Sequence, residues 1–215
     1  MVFAKISEFG GLMETFYGKS WDVKSIPNAE NIAYTDLNLP LHMDLMYFED
    51  PPKLQLLHSI KNEVSGGLST FKDSRKILNA FQNDFPVYYD TLKRVRVCYQ
   101  YQGVGQSIKL ERMLIEPRVG EDQLNYAPMF FGVLNMKCSD ADMFYPAFEK
   151  FMECVESPNN MLLRKAEEGD LVVFLNRRML HGRTAFESNS GQRFLKGAYV
   201  SSADYSRLLK SLCLE

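Results

Sequence analysis

At 215 residues, with 46% hydrophobic and 24% charged residues, the chain has ordinary globular usage and room for one substantial packed domain, residues 1–215, not for two. A formal charge of -2 supplies no basic footprint for nucleic acid or an anionic membrane, and no apolar run is long enough to cross a bilayer. Cys98, Cys138, Cys154 and Cys213 are scattered without CxxC spacing, which argues against a zinc knuckle or a disulfide framework. With no signal-peptide core after Met1, a soluble intracellular, cytoplasmic protein is expected.

Phe3, Ile6, Phe9, Met13 and Phe16 recur at near-helical spacing and predict a short opening helix to about Tyr17, weakened by Gly10-Gly11. Leu41 to Asp44 and Leu54 to Ile60 read as strands separated by Pro51-Pro52. Ile77, Leu78 and Phe81 predict a helix from about Asp73 to Gln82, and Pro86 opens another through Leu92. Strands follow at Arg94 to Tyr101, Ile108 to Ile115 and Gln123 to Tyr126.

The clearest helix starts from an N-cap at Ser139 or Asp140 and runs to about Val155, with Phe144, Ala147, Phe148, Phe151, Met152 and Val155 as its core stripe. The turn Glu168-Gly169-Asp170 then leads into the apolar run Leu171 to Leu175, and Phe194 to Val200 supplies a last strand. Many strands with inserted helices predict a mainly β fold, a double-stranded β-helix of the jelly-roll, cupin-like kind, which keeps ligands in its mouth.

His42 and Asp44 lie one residue apart in a predicted strand, so both side chains face one side and can reach one metal. Such a triplet alone is more often a surface hydrogen-bonded pair. His181, behind the apolar strand ending at Leu175, changes that balance. Two imidazoles and a carboxylate form the facial set of non-haem iron oxygenases, with positions left open for co-substrate and oxygen. A closed zinc site needs a fourth ligand, and the chain has only three histidines. The third, His58, sits in an apolar strand and reads as a hydrogen-bonded core residue. Arg193, twelve residues after His181, offers a guanidinium fork for a carboxylate, and Ser69 after Gly66-Gly67 could add a hydroxyl.

The stretches Thr15 to Trp21, Asn31 to Thr35, Leu41 to Asp44, Pro51-Pro52 with Gln55 to His58, Gly66-Gly67, Gly169-Asp170, Leu180 to Arg183, and Arg193 with Gly197 to Tyr199 occur in one order over nearly the whole chain. In these the chain resembles the gamma-butyrobetaine and trimethyllysine hydroxylase group of the taurine dioxygenase-like Fe(II)/2-oxoglutarate oxygenases. The resemblance implies that His42, Asp44 and His181 hold Fe(II), and that Arg193 grips 2-oxoglutarate. It also implies that Ser69 and Asn31 support co-substrate or substrate. O2 is the second co-substrate, with succinate and CO2 as products. By the same resemblance Tyr17, Trp21 and Tyr34 match an aromatic cage for a trimethylammonium group, which ring faces hold because it cannot donate a hydrogen bond.

Two departures bear on substrate. Asn125-Tyr126-Ala127-Pro128 stands where the betaine hydroxylases carry an Asn-rich segment, and Leu45 follows the metal aspartate in place of an aromatic. Both make the pocket more apolar. The chain resembles its longer relatives without their N-terminal part. The readings are hydroxylation of a small betaine, amine or amino-acid-derived metabolite; a sibling oxygenase performing desaturation or ring closure; or a truncated non-catalytic relative acting in binding or assembly. The expected partner is a small-molecule substrate, with self-association as a homodimer left open.

Overall fold

A computed structural model describes residues 11–24, 35–103 and 105–212. Eight strands form two four-stranded antiparallel sheets. The larger comprises β1 (Trp21–Lys24), β14 (Arg193–Val200), β3 (Leu54–Asn62) and β11 (Leu171–Leu175), in that spatial order. The smaller comprises β10 (Leu162–Arg164), β5 (Ser69–Asp73), β12 (Met179–Arg183) and β2 (Leu39–His42). Most successive strands alternate between the sheets, as in a double-stranded β-helix, so the expected fold class holds. A short pairing of β4 (Ser65–Gly66) with β13 (Phe186–Glu187) closes one corner.

Between β5 and β10 the chain makes a long excursion. It runs through α1 (Ser74–Asp84), α2 (Pro86–Leu92), the hairpin β6 (Arg96–Gly103) and β7 (Gln106–Met113), and the short pair β8 (Ile115–Glu116) and β9 (Gln123–Leu124). It ends in α3 (Cys138–Glu156), and α4 (Ser202–Leu212) closes the described chain. The helices at 74 and 86 start where capping and Pro chemistry predict: the Asp73 side chain accepts the Arg75 N–H at 3.0 Å, and Pro86 opens α2. The α3 stripe is core as expected, with Phe144, Ala147, Phe148, Phe151 and Val155 buried. Its N-cap is Lys137, without a side-chain cap bond, so neither Ser139 nor Asp140 caps it.

The opening-helix expectation is met differently. Residues 1–10 lie outside the described residues, and the segment from Gly11 to Tyr17 is not helical. It turns at Thr15–Gly18, where the Gly18 N–H donates to the Thr15 carbonyl at 2.8 Å. Gly18 has φ 87°, a conformation that suits a residue without Cβ.

Lys72 on β5 anchors the excursion to the barrel. Its ammonium donates to the carbonyls of Cys154, Val155 and Ser157 at 2.9, 2.8 and 2.6 Å, satisfying the C-terminal end of α3. A cation is the favoured partner there, because the last carbonyls of a helix have no intrahelical donor. No helix among the described residues is long and apolar enough to cross a membrane. Replacing Lys72 with Met should strand these carbonyls and cost on the order of 2 kcal/mol of stability, measured by denaturant unfolding.

Candidate metal centre

His42 closes β2 and His181 occupies the middle of β12, and the two stand opposite each other in register. Phe71 of β5 is the partner of His181 on its other side. The imidazole rings are 4.3 Å apart, and Phe174 packs 4.9 Å from the His181 ring. Both histidines are buried.

Asp44 lies beyond the strand. β2 ends at His42, two residues short of the expected boundary, and Asp44 begins a turn. Leu45 takes a left-handed conformation, φ 58°, and the main chain of Asp44 bonds to the distant Asn176 side chain instead of a neighbouring strand. The pair nevertheless converges, with His42 Nε2 3.2 Å from Asp44 Oδ1 and His181 Nε2 3.8 Å from Asp44 Oδ2. One ligand atom from each of the three residues lies within 4.8 Å of the others.

Nδ1 of His42 is 2.8 Å from the Pro40 carbonyl, which can only accept, so Nδ1 donates there and Nε2 is the ring nitrogen that faces Asp44. Burial and the neighbouring His42 pull the His181 pKa down to about 3 against the opposing Asp44 charge, leaving a neutral imidazole near pH 7. Burial alone would raise the Asp44 carboxyl, but His42, His181 and the Tyr199 hydroxyl together hold it below the usual carboxylate range. Tyr199 donates to Asp44 Oδ2 at 2.6 Å. Two imidazole nitrogens and one carboxylate around a common point suit a divalent transition metal, with no fourth ligand in the cluster among the described residues.

Arg193 and Arg183 share a second corner around the Phe186 ring. Ser69 is in register with Arg183, and strand alternation puts both on the face that carries Phe71 and His181. Arg183 is two residues beyond His181, roughly 7 Å along the strand. The guanidiniums of Arg183 and Arg193 lie 4.7 and 5.6 Å from the Phe186 ring centre. Arg193 forms no ion pair among the described residues, and its buried Nε has no hydrogen-bond partner. Burial, then the Arg183 charge, pulls its pKa down to about 9. A buried cation of this kind is matched by an incoming carboxylate. Asn31 and Tyr34 lie outside the described residues.

The remaining two cage candidates come together. Trp21 and Tyr17 have ring centres 6.3 Å apart, and Trp21 packs 4.2 Å from Tyr199, the residue bonded to Asp44. Trp21 is in register with Gly197, where any Cβ would run into the indole, so the glycine makes room for the ring. Sequence reasoning assigned no role to Tyr199, although it lies six residues beyond Arg193 and therefore on the same strand face. It also missed Tyr47, Tyr101 and Phe130. Tyr101 packs 6.2 Å from Tyr17 and 5.2 Å from Tyr47, and Phe130 lies 5.1 Å from Tyr47. No local pattern joins these rings.

The substituted segment is apolar toward this cluster. The Asn125 amide is consumed structurally, donating to the Met113 carbonyl at 2.7 Å and accepting from Arg177 at 2.6 Å. The adjacent Tyr126 carbonyl accepts the Met43 N–H at 2.7 Å, between the two metal-ligand candidates.

The buried neutral His181 gives a pH prediction for the metal-free protein. Unfolding exposes a histidine that protonates near its ordinary value of about 6.5, whereas the folded group resists protonation until about pH 3. The unfolded state therefore binds more protons in that window, and stability falls as pH drops through it. Denaturant unfolding should show a slope contribution approaching about 1.4 kcal/mol per pH unit, lost in His181→Leu.

The taurine catabolism dioxygenase TauD, TfdA family matches residues 2–199. The chain is 39% identical over 215 residues to dioxygenase str8 of Strobilurus tenacellus, covering 94% of this chain and 50% of that protein. It is 33% identical over 201 residues to gamma-butyrobetaine dioxygenase of Pseudomonas sp. strain AK-1, covering 92% and 52%. The chain thus spans about half the length of the curated relatives it matches. Among solved structures, asparagine oxygenase (AsnO) superposes with a TM-score of 0.74 at 15% identity, over 94% of this chain and 62% of that one, a likeness of fold. Extent and order of the match, on a double-stranded β-helix bearing the converged His42, Asp44 and His181, establish that the chain belongs to the TauD, TfdA family of dioxygenases.

Proposed function

We propose that this chain is the catalytic core of an Fe(II)/2-oxoglutarate-dependent dioxygenase that hydroxylates a small betaine, amine or amino-acid-derived metabolite. The convergence of His42, Asp44 and His181 carries the reading. Family membership and similarity to gamma-butyrobetaine dioxygenase support it. Bound by these three side chains, Fe(II) would supply activation of O2 coupled to conversion of 2-oxoglutarate to succinate and CO2.

The protein's own residues select and orient. Arg193 neutralises the far carboxylate of 2-oxoglutarate, and Ser69, in register with Arg183, adds a hydroxyl donor. A bidentate fork fixes the direction of the co-substrate as well as its charge. Tyr199 holds one carboxylate oxygen of Asp44, which restricts rotation of the ligand toward the two imidazoles. Phe71, Phe174 and Phe186 give this side dry walls, where charge pairing is stronger than in water.

The substrate would lie against Tyr17, Trp21 and Tyr199. Their ring faces suit a quaternary ammonium, and Asn31 and Tyr34 complete the proposed support for co-substrate and substrate. A sibling oxygenase acting on a less polar metabolite, including desaturation or ring closure, is favoured by a different observation: Phe130 joins the aromatic cluster and the buried Asn125 carboxamide is bonded to Met113 and Arg177.

Anaerobic addition of Fe(II) and 2-oxoglutarate should produce a weak visible charge-transfer band; folded protein without that band would overturn the dioxygenase reading. Arg193→Ala should weaken 2-oxoglutarate binding about 10- to 100-fold in the same titration. Succinate release across a panel of betaines and amino acids identifies the substrate class. With a betaine substrate, Trp21→Ala should raise its dissociation constant about fivefold, on the order of 1 kcal/mol, and an unchanged constant would assign the indole to packing alone.

A further inference from the structure

We propose that Asn176 is the positioning residue for the metal-binding carboxylate, acting through the main chain of Asp44. The inference rests on the metal site proposed above. Asn176 lies in the turn between β11 and β12 and is fully buried. Its Oδ1 accepts the Asp44 N–H at 2.8 Å, and its Nδ2 donates to the Asp44 carbonyl at 3.0 Å and to the Pro52 carbonyl at 3.2 Å. The two carbonyls can only accept, which assigns the amide nitrogen to that side. The Asn176 N–H donates to the Lys53 carbonyl at 3.0 Å, so Asn176 itself is anchored to the start of β3.

This arrangement does for Asp44 what a neighbouring strand would do for a residue inside a sheet. A carboxamide presents one acceptor and one donor side by side, as a peptide group does, and it occupies both main-chain groups of one residue. Asp44 has left β2, and the next residue, Leu45, holds the left-handed φ of 58°. That conformation costs a residue with a Cβ about 1–2 kcal/mol, and the turn's own main-chain bond, from the Phe48 N–H to the Leu45 carbonyl at 2.9 Å, does not involve Asp44. The contact that holds it comes from 132 residues away. It also joins the Asp44 turn to the β11–β12 turn, whose β12 carries His181 five residues after Asn176. One side chain that is not itself a metal-ligand candidate thereby fixes the Asp44 main chain and ties it to the turn that leads into the His181 strand.

Later bonds in the same loop do not reach Asp44. Arg112 donates to the carbonyls of Met46, Phe48 and Glu49, downstream of the ligand. Arg112 is therefore a control that loosens the loop while leaving the Asp44 main chain in place.

The test uses Co(II), which reports geometry through its visible ligand-field bands and needs no turnover. Wild-type protein, Asn176→Ala, the isosteric Asn176→Asp and Arg112→Ala are titrated with Co(II), and each metal-free form is melted. Asn176→Asp retains an acceptor for the Asp44 N–H and loses the donor, which keeps the comparison available if the Ala variant does not fold. Expected are a tenfold or greater loss of Co(II) affinity and altered band positions in the folded Asn176 variants, with both readouts near wild type in Arg112→Ala. Unchanged affinity and bands in a folded Asn176 variant, with a lower melting temperature alone, would reduce Asn176 to a structural residue and overturn the proposal. Equal losses in Arg112→Ala would overturn it too. Absence of Co(II) binding by wild-type protein, matched by His181→Ala, would instead refute the metal site on which it rests.

Discussion

The pairing of β12 with β2 places His181 across from His42, and the site depends on that register. A one-residue slip would turn His181 to the opposite face of the sheet, because side chains alternate along a strand. The same strand is held on its other side by β5 over all five of its residues, Met179 to Arg183, so a slip would have to break two ladders. Gly182 marks how tightly these strands close: a Cβ there would press on the Leu39 carbonyl and the Thr70 hydroxyl. Register and close packing keep two imidazoles 4.3 Å apart in a dry interior.

Asp44 answers a different constraint. A carboxylate removed from water is costly unless donors surround it. Here the Tyr199 hydroxyl donates to one of its oxygens, the His42 and His181 nitrogens lie 3.2 and 3.8 Å from them, and Asn176 meets its main chain. Polar groups of the site are paired from outside the strand that brings the carboxylate in, which lets the ligand stand in a turn without loss of definition. The barrel corner around Arg193 has the opposite character. It holds the Arg193 guanidinium, its Nε buried and without a hydrogen-bond partner, with no ion pair among the described residues, and a cation so placed adds little to the stability of the fold.

The long excursion between β5 and β10 connects these features. Its hairpin and the segment after it bring Tyr101 and Phe130 to the aromatic cluster around Tyr47, and its Tyr126 carbonyl holds Met43 between His42 and Asp44. Lys72 ties the far end of α3 back to the smaller sheet. The aromatic cluster and the backbone between His42 and Asp44 are thus supported by one insertion.

Much of this was legible in the residues. Alternation and apolar runs placed β3, β11 and β14, Pro86 placed the start of α2, and the Phe144 to Val155 stripe placed the buried face of α3, since each signal lies within a few neighbouring residues. The three metal-ligand candidates and Arg193 could be named because their residue types are restricted by chemistry. The extent of β2 could not, since its end is set by Asn176 and the left-handed Leu45 rather than by a break in composition. Nor could the roles of Asn176, Tyr47, Tyr101 and Phe130 be seen. By itself, the sequence determined which groups were available for metal and co-substrate and which faces would be buried. Tertiary structure alone decided which of them meet, because contacts across more than a hundred residues depend on strand register and turn geometry that no local pattern encodes.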